Sequence, residues 1–236
     1  MWRSARVSAL TLQEMHPRLR LALTVTVICA AAIVVIVTLS AGSGVSGAGG
    51  EASQKVNGFY GPTAPASQPA VNFELTDQYG KKISLAQYRG QVVMLTFVYS
   101  TCANTCPVVV SQMRGALNEL HRRVPTIAVS VDPQQDTRAN ISAFLIKEDM
   151  LGQMQYLVGS RRQLEPIWSF FGIQPQIKVK SSNSDHSILV ELLDKSGKPR
   201  VGYTDVNQMD PDAIAADIET LQAEPLPKAT PARRQL

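Results

Sequence analysis

The most constraining feature of this sequence is a buried strand that leads through two cysteines into a helix opened by proline. Residues 92–99 form an apolar, β-branched and aromatic run of strand length, which predicts a strand buried in a central sheet. A short loop of small residues follows and carries Cys102 and Cys106. Because Pro107 favours the first helical position, we expect Cys106 at or near the N-cap, where unpaired amides and the helix dipole stabilise a thiolate. This strand–loop–helix unit predicts a functional site.

The elements predicted around this unit alternate between strands and helices. A hairpin over residues 71–85 comes first, and three strand–helix pairs follow it. A second hairpin over residues 187–203 and a last helix from about Pro211 to Gln222 complete the order. The βαβ part implies a parallel sheet flanked by helices, and the closing hairpin adds antiparallel strands. Cysteines after a strand and before a helix then indicate an α/β, thioredoxin-like fold with a central mixed sheet and an extra N-terminal β-hairpin.

The N-terminal part of the chain predicts a membrane anchor. Residues 1–20 are polar and basic, and residues 21–39 contain no charged side chain, which is close to the roughly 20 residues that span a bilayer. Arginines before this run and none soon after it favour a cytoplasmic N-terminus and an extracytoplasmic body. The alternative is a cleaved signal peptide, because small residues follow the run. The length of the run favours a retained single-pass anchor.

These patterns divide the chain into five expected regions. They are a basic cytoplasmic N-terminus (1–20), a transmembrane signal anchor (21–40), a flexible linker rich in Gly, Ser, Ala and Pro (41–70), a thioredoxin-like domain (71–223) and a disordered tail (224–236). The net charge of +4 comes from the two ends of the chain, and the body between them is close to neutral. Nucleic-acid binding by the body is therefore not supported.

Cys102 and Cys106 have the spacing of a small loop rather than of one regular helix. Inside a helix their Cβ atoms would lie about 5–6 Å apart, whereas a disulfide needs roughly 3.8 Å. We therefore expect Cys102 to lie in a loop that folds back onto Cys106. Three intervening residues suit two thiolates that converge on one soft ion, and such ligands select Cu(I), with Zn as a competitor. The alternatives are a structural disulfide, which would stabilise little across so small a loop, and two buried thiols.

His186 is the candidate for a third ligand. It directly precedes the strand predicted over residues 187–193, and in a thioredoxin-like sheet the loop entering that strand faces the cysteine loop. Thioredoxins usually place a cis-proline there, whereas the nearest upstream proline in this chain is Pro175. An imidazole in that place favours metal binding over thiol exchange, with a solvated loop histidine as the alternative. His121 is interpreted instead as a favourable cation at a helix C-terminus.

Three segments resemble the signature segments of the Sco/SenC family, in order and at suitable separations. They read CANTCP at residues 102–107, VDPQQDT at residues 131–137 and DHS at residues 185–187. The resemblance covers about residues 70–223. Members of that family are membrane-tethered, thioredoxin-fold copper proteins that assist assembly of the CuA centre of cytochrome c oxidase. The resemblance implies Cys102, Cys106 and His186 as ligands of copper, as Cu+ or Cu2+.

The resemblance also implies supporting residues, partners and a location. Asp132 and Asp136 match the acidic segment of the family, and together with Asp185 they are candidates for contacts behind the ligands or with a partner. From the residues alone, Asp136 is interpreted as the N-cap of the helix that follows. The implied partners are the oxidase subunit carrying CuA, an upstream periplasmic copper donor and a thiol reductant. The implied location is the bacterial inner membrane with a periplasmic domain, and the mitochondrial inner membrane is the alternative.

The sequence departs from the family between its cysteines, and other classes of function stay open. The family usually has Pro and Asp there, whereas this chain has Ala103 and Asn104, which removes a negative charge beside the sulfurs. A peroxiredoxin is disfavoured, because the threonine required three residues before the reactive cysteine is replaced by Tyr99 or Ala103. We expect a metallochaperone. The alternatives are a thiol–disulfide reductase that keeps the CuA cysteines reduced, and a redox or copper sensor.

Overall fold

The computed structural model describes residues 55–175, 187–226 and 234–235. The chain divides into two compact units, residues 1–52 and 53–236, and the described residues belong to the second. Among them, no helix is both long enough and apolar enough to cross a bilayer. The anchor predicted over residues 21–40 lies outside the described ranges.

The strands of the described residues form one seven-stranded mixed sheet and one short parallel pair. In chain order they are β1 (Val71–Asn72), β2 (Glu74–Asp77), β3 (Lys82–Ser84), β4 (Val93–Val98), β5 (Thr126–Ser130), β6 (Met154–Val158), β7 (Val190–Leu193), β8 (Pro199–Tyr203) and β9 (Arg234–Gln235). The large sheet has the order β3-β2-β6-β5-β4-β7-β8, and β1 pairs with β9. Strands β4, β5 and β6 are parallel, whereas β2 and β7 join them in antiparallel fashion. The predicted mixed sheet and N-terminal hairpin are confirmed.

Within the described residues, four α-helices connect and cover these strands. They are α1 (Thr105–Leu120), α2 (Arg138–Lys147), α3 (Arg161–Phe171) and α4 (Pro211–Ala223), and short 3-10 turns cover Leu85–Tyr88 and Val206–Gln208. Local chemistry fixes their starts, since the side chains of Thr137 and Asp210 accept hydrogen bonds from the first turns of α2 and α4. α3 ends at Gly172, whose φ of 68° is a left-handed conformation that glycine adopts without strain.

Both faces of the sheet are buried, which explains why β4 reads as a continuous apolar run. Met94 and Val98 point to one face, where they meet helices α1, α2 and α4. Leu95 and Phe97 point to the other face, where they meet α3 and the N-terminal hairpin. A strand that follows this pattern into a cysteine loop and then a helix has the thioredoxin-like arrangement predicted from the order of elements.

Residues 55–64 pack on the domain, although their composition predicts a flexible linker. The backbone amides of Tyr60 and Gly61 donate hydrogen bonds of 2.8 and 2.9 Å to the two carboxylate oxygens of Asp217 on α4. These contacts join residues far apart in the chain, so a local composition rich in Gly, Pro and Ser gives no signal of them. The folded domain therefore begins before Val71.

Candidate metal centre

The two cysteines lie where β4 leads into α1. The carbonyl of Tyr99 accepts a hydrogen bond of 3.1 Å from the amide of Cys102, which turns the chain back on itself. The amide of Cys106 then donates to Sγ of Cys102 at 3.2 Å. Both cysteines are present as thiols, and their exposed fractions are 7% and 0%. The loop folds back as predicted and brings the sulfur of Cys102 onto the first turn of the helix.

Helix α1 begins two residues before Pro107 rather than at it. Its N-cap is Asn104 and its first residue is Thr105, so that Cys106 and Pro107 are the second and third helical residues. Proline is tolerated there because the first amides of a helix have no acceptor within it. The amide of Cys106 is one of these first amides, and it donates to the sulfur of Cys102.

Burial raises the pKa of the Cys106 thiol. The hydrogen bond with Cys102 and nearby negative charge raise this pKa further, while a backbone hydrogen bond from Tyr99 lowers it. Burial of the sulfur therefore acts against the thiolate that the helix start is predicted to stabilise at Cys106. A soft cation that binds Cys106 must therefore displace its proton.

A buried carboxylate, Asp136, lies behind the start of the cysteine loop. Its Oδ1 accepts hydrogen bonds of 2.6 Å from both the amide and the hydroxyl of Ser100, two residues before Cys102. Its Oδ2 accepts from the hydroxyls of Ser130 at 2.5 Å and Tyr156 at 2.9 Å. Burial raises the pKa of Asp136, and the hydrogen bonds from these three residues oppose that shift. Asp136 therefore ties the cysteine loop to β5 and β6.

The interpretation of Asp136 as a helix N-cap is wrong. The cap of α2 is Thr137, whose hydroxyl accepts a hydrogen bond of 3.2 Å from the amide of Asn140. Asp136 is one residue earlier, where its side chain turns inward and is only 6% exposed. Both residue types cap helices, so the sequence alone did not decide which of two adjacent residues does so.

The sequence patterns do not predict three residues of this network, which are Ser100, Ser130 and Tyr156. A signal for two of them was present, because Ser130 is the last residue of β5 and Ser100 follows the end of β4. Polar residues that follow parallel neighbouring strands meet at one edge of a sheet. Tyr156 lies inside β6 and is fully buried, and the sequence marks it only as a core aromatic residue.

The other predicted site residues stand apart from this network or outside the described ranges. The Oδ1 of Asp132 accepts hydrogen bonds of 3.3 and 3.4 Å from the amides of Gln134 and Gln135, so Asp132 supports its own turn. Asp185 and His186 lie outside the described residues. Within residues 55–175 and 187–226, no group of three or more His, Cys, Asp or Glu side chains is arranged to hold a metal ion.

The chain that follows His186 runs beside the cysteine loop. The hydroxyl of Thr96 on β4 donates a hydrogen bond of 2.8 Å to the carbonyl of Leu189. Ile188 lines a surface groove of about 460 Å³ together with Asn104 and Val108 from the start of α1. The residue two positions after His186 therefore shares a groove with the residues between and after the cysteines.

Comparison with known proteins identifies relatives of this chain. Residues 62–223 match the model of the family described as SCO1/SenC. A SCO2-like protein of Rickettsia prowazekii is 24% identical over 135 residues, which are 53% of this chain and 64% of the Rickettsia protein. The match therefore spans less than two thirds of that relative.

Solved structures of similar fold cover most of the described domain. ScoI of Bradyrhizobium japonicum, solved with copper bound, has a TM-score of 0.54 and 24% identity, and the match covers 65% of this chain and 99% of that one. BsSco, named as a member of the Sco family of cytochrome c oxidase assembly proteins, has a TM-score of 0.56 and 22% identity, over 68% and 97% of the two chains. These likenesses support the thioredoxin-like fold. Because the family model matches more than half of its residues, this chain belongs to the SCO1/SenC family.

Proposed function

We propose that this protein is a copper metallochaperone that delivers copper to the CuA centre of cytochrome c oxidase. The observation that carries the proposal is the pair of buried thiols in which the amide of Cys106 donates to the sulfur of Cys102. Membership of the SCO1/SenC family supports it, as do the copper in ScoI and the naming of BsSco's family as oxidase assembly proteins. Copper is the cargo of this site rather than a resident cofactor.

Cys102, Cys106 and His186 are the proposed ligands. Two thiolates and one imidazole form a soft donor set, which favours Cu(I) over the hard cations that carboxylates hold. The cysteines are already folded together in the thiol form, so metal binding requires deprotonation of the sulfurs but no large movement of their loop.

The pairing of the strands supports His186 as the third ligand. β7 runs antiparallel to β4, with Val190 opposite Thr96, so the chain entering β7 comes from the end of β4 that carries the cysteine loop. The groove shared by Ile188 and the start of α1 is consistent with that path. Only one residue, Ser187, lies between His186 and Ile188 in the sequence.

Release of copper follows from the same ligands. Thiolates of a recipient would displace Cys102 and Cys106 in turn, which avoids a free copper ion at any stage. Oxidation of the two thiols to a disulfide removes two electrons and two protons, and it leaves no thiolate to bind the metal. The thiol form is therefore the form that carries copper.

The burial of the cysteines favours a metal carrier over a thiol–disulfide reductase. A reductase needs a thiolate that is exposed enough to attack a disulfide of its substrate. Cys106 is fully buried and Cys102 is 7% exposed, so the described surface offers little sulfur to a protein disulfide. A small cation reaches such sulfurs more readily than a protein disulfide does.

The proposed location is a membrane, with the chain anchored by a single span. The uncharged run of residues 21–39 is long enough for one span, and arginines precede it. The domain would then act on the extracytoplasmic side of a bacterial inner membrane, tethered by the segment before residue 55.

The test is an anaerobic competition titration of the reduced full chain with Cu(I) and a chelator of known affinity. We expect one tightly bound equivalent in the wild type, its loss in Cys102→Ser, and binding weakened by about tenfold or more in His186→Ala. His121→Ala is the matched control, because His121 lies at the far end of α1, and it should bind copper as the wild type does.

A parallel assay measures reduction of a disulfide-bonded CuA domain by the same proteins. Metal binding that depends on His186, together with slow reduction, supports the chaperone. Efficient reduction by wild type and by His186→Ala alike, with no competitive copper binding, would replace the chaperone with a reductase.

A further inference from the structure

A cavity lies at the edge of the sheet opposite the cysteine loop. Its volume is about 530 Å³, within the roughly 300–1,000 Å³ of small-molecule sites. Residues that precede or begin β5 and β6 line it, among them Pro125, Thr126 and Gln153. The cysteine loop follows the opposite end of β4, and β4 is parallel to β5. The cavity is therefore separate from the candidate metal centre.

Its lining is basic. His121, Arg122 and Arg123 follow one another at the end of α1, and no Asp or Glu is among the described residues that line the cavity. Arg122 reaches Glu219 at 3.7 Å, but both side chains are about half exposed, so this ion pair is weak. Arg123 makes no ion pair or hydrogen bond through its guanidinium with any described residue. Two guanidinium groups thus border the cavity with little compensating charge.

The helix dipole only partly offsets this charge. The C-terminus of α1 carries the equivalent of roughly half a negative charge, which is the usual reason for cations at a helix end. Two arginines carry more positive charge than is needed to balance this half charge. A guanidinium group can donate two parallel hydrogen bonds to two phosphate oxygens, whereas the ammonium group of lysine acts as a point charge.

The uncharged residues of the lining add a hydrogen-bond donor and apolar surface. The hydroxyl of Tyr88 donates to the amide oxygen of Gln155, so the donor NH₂ group of Gln155 is the part left for a ligand. Leu117 and Val124 add apolar surface to the lining. The cavity is larger than a bare phosphate ion needs, so the lining fits a phosphate group that carries a small organic part.

We propose that this cavity binds a phosphate ester, with the guanidinium groups of Arg122 and Arg123 on its phosphate oxygens. Two sources share that chemistry, namely the headgroup of an anionic phospholipid and a soluble phosphate monoester. The site is independent of the copper ligands, so its success or failure leaves the proposed function unchanged.

The experiment measures amide hydrogen exchange of residues 117–126 in the full chain. In one arm the chain is in zwitterionic detergent and is titrated with glycerol 3-phosphate. In the other arm it is in phosphatidylcholine nanodiscs with or without phosphatidylglycerol. We expect saturable protection that is weakened by about tenfold or more in the double variant Arg122→Gln/Arg123→Gln.

The matched control is Arg161→Gln/Arg162→Gln, which removes the same charge from exposed arginines at the start of α3. It should keep the protection. Protection by phosphatidylglycerol alone identifies a lipid headgroup, and protection by glycerol 3-phosphate identifies a soluble ester; either supports the site. An absence of saturable protection in both arms, or an equal loss in both double variants, would overturn it.

Discussion

At the scale of single residues, some groups of the candidate centre can be predicted from the sequence and others cannot. The cysteine pair is visible because its spacing and the following proline specify a loop and a helix start. Asp136 is visible as an acidic residue but not as a buried one. Its role depends on Ser100 and Tyr156, which are far from it in sequence and come together only when β4, β5 and β6 pair.

Asp136→Asn tests the role of this carboxylate. The amide nitrogen that replaces one oxygen cannot accept hydrogen bonds from Ser130 or Tyr156. We therefore expect the free energy of unfolding to fall by about 2–3 kcal/mol. Urea titration of the thiol form measures this change. Asp132→Asn is the control, because asparagine also supports such a turn, and it should change stability little. Equal losses in the two variants would contradict the network.

Glu191 makes the stability of the domain depend on pH. Burial raises the pKa of this carboxyl from 4.5 to about 8, against a weaker opposite effect of a backbone hydrogen bond from Arg200. Between these two values the folded protein holds a proton that the unfolded chain releases. The free energy of unfolding should therefore fall as pH rises from about 4.5 to about 8, by at most about 5 kcal/mol.

Glu191→Gln should remove this part of the pH dependence. The variant is expected to match the wild type near pH 4 and to exceed its stability near pH 9, because glutamine has no charge to bury. Thermal unfolding at the two pH values measures the difference. A wild-type advantage at the higher pH would contradict the assigned protonation.

At the scale of elements, the sequence predicts helices and strands well but not their long-range attachments. β6 and α3 form one of the three strand–helix pairs predicted after the first hairpin, since periodic apolar residues and capping signals mark such elements. The composition of residues 55–64 predicts a linker, because the contacts that hold the segment, to Asp217 on α4 and to the backbone of β8, all join it to distant residues. No periodicity in the segment itself records that contact.

Asp217→Ala should release this segment from α4. The amides of Tyr60 and Gly61 lose their acceptors, and the hydroxyl of Tyr203, which donates to Asp217 at 2.6 Å, loses its partner as well. We expect those two amides to exchange with solvent about tenfold faster or more. Glu219→Ala, half a turn further along α4, should leave their exchange unchanged. Similar exchange in both variants would show that other contacts hold the segment.

At the scale of the whole domain, the parallel strands separate two chemistries. The cysteine loop lies at the carboxyl ends of these strands, and the basic cavity lies at their amino ends. The order of elements predicts the first site, because a loop after a buried strand falls at that edge. It does not predict the cavity, whose lining comes from three separate segments that only the folded sheet brings together.

The measurement that tests the central proposal most directly is X-ray absorption spectroscopy at the copper edge of the Cu(I)-loaded, reduced full chain. Cys102, Cys106 and His186 as ligands predict two sulfur scatterers and one imidazole nitrogen per copper in the wild type. His186→Ala should keep both sulfurs and lose the imidazole, while His121→Ala should give the wild-type spectrum. A wild-type spectrum without sulfur, or an imidazole that persists in His186→Ala, would contradict the proposed site.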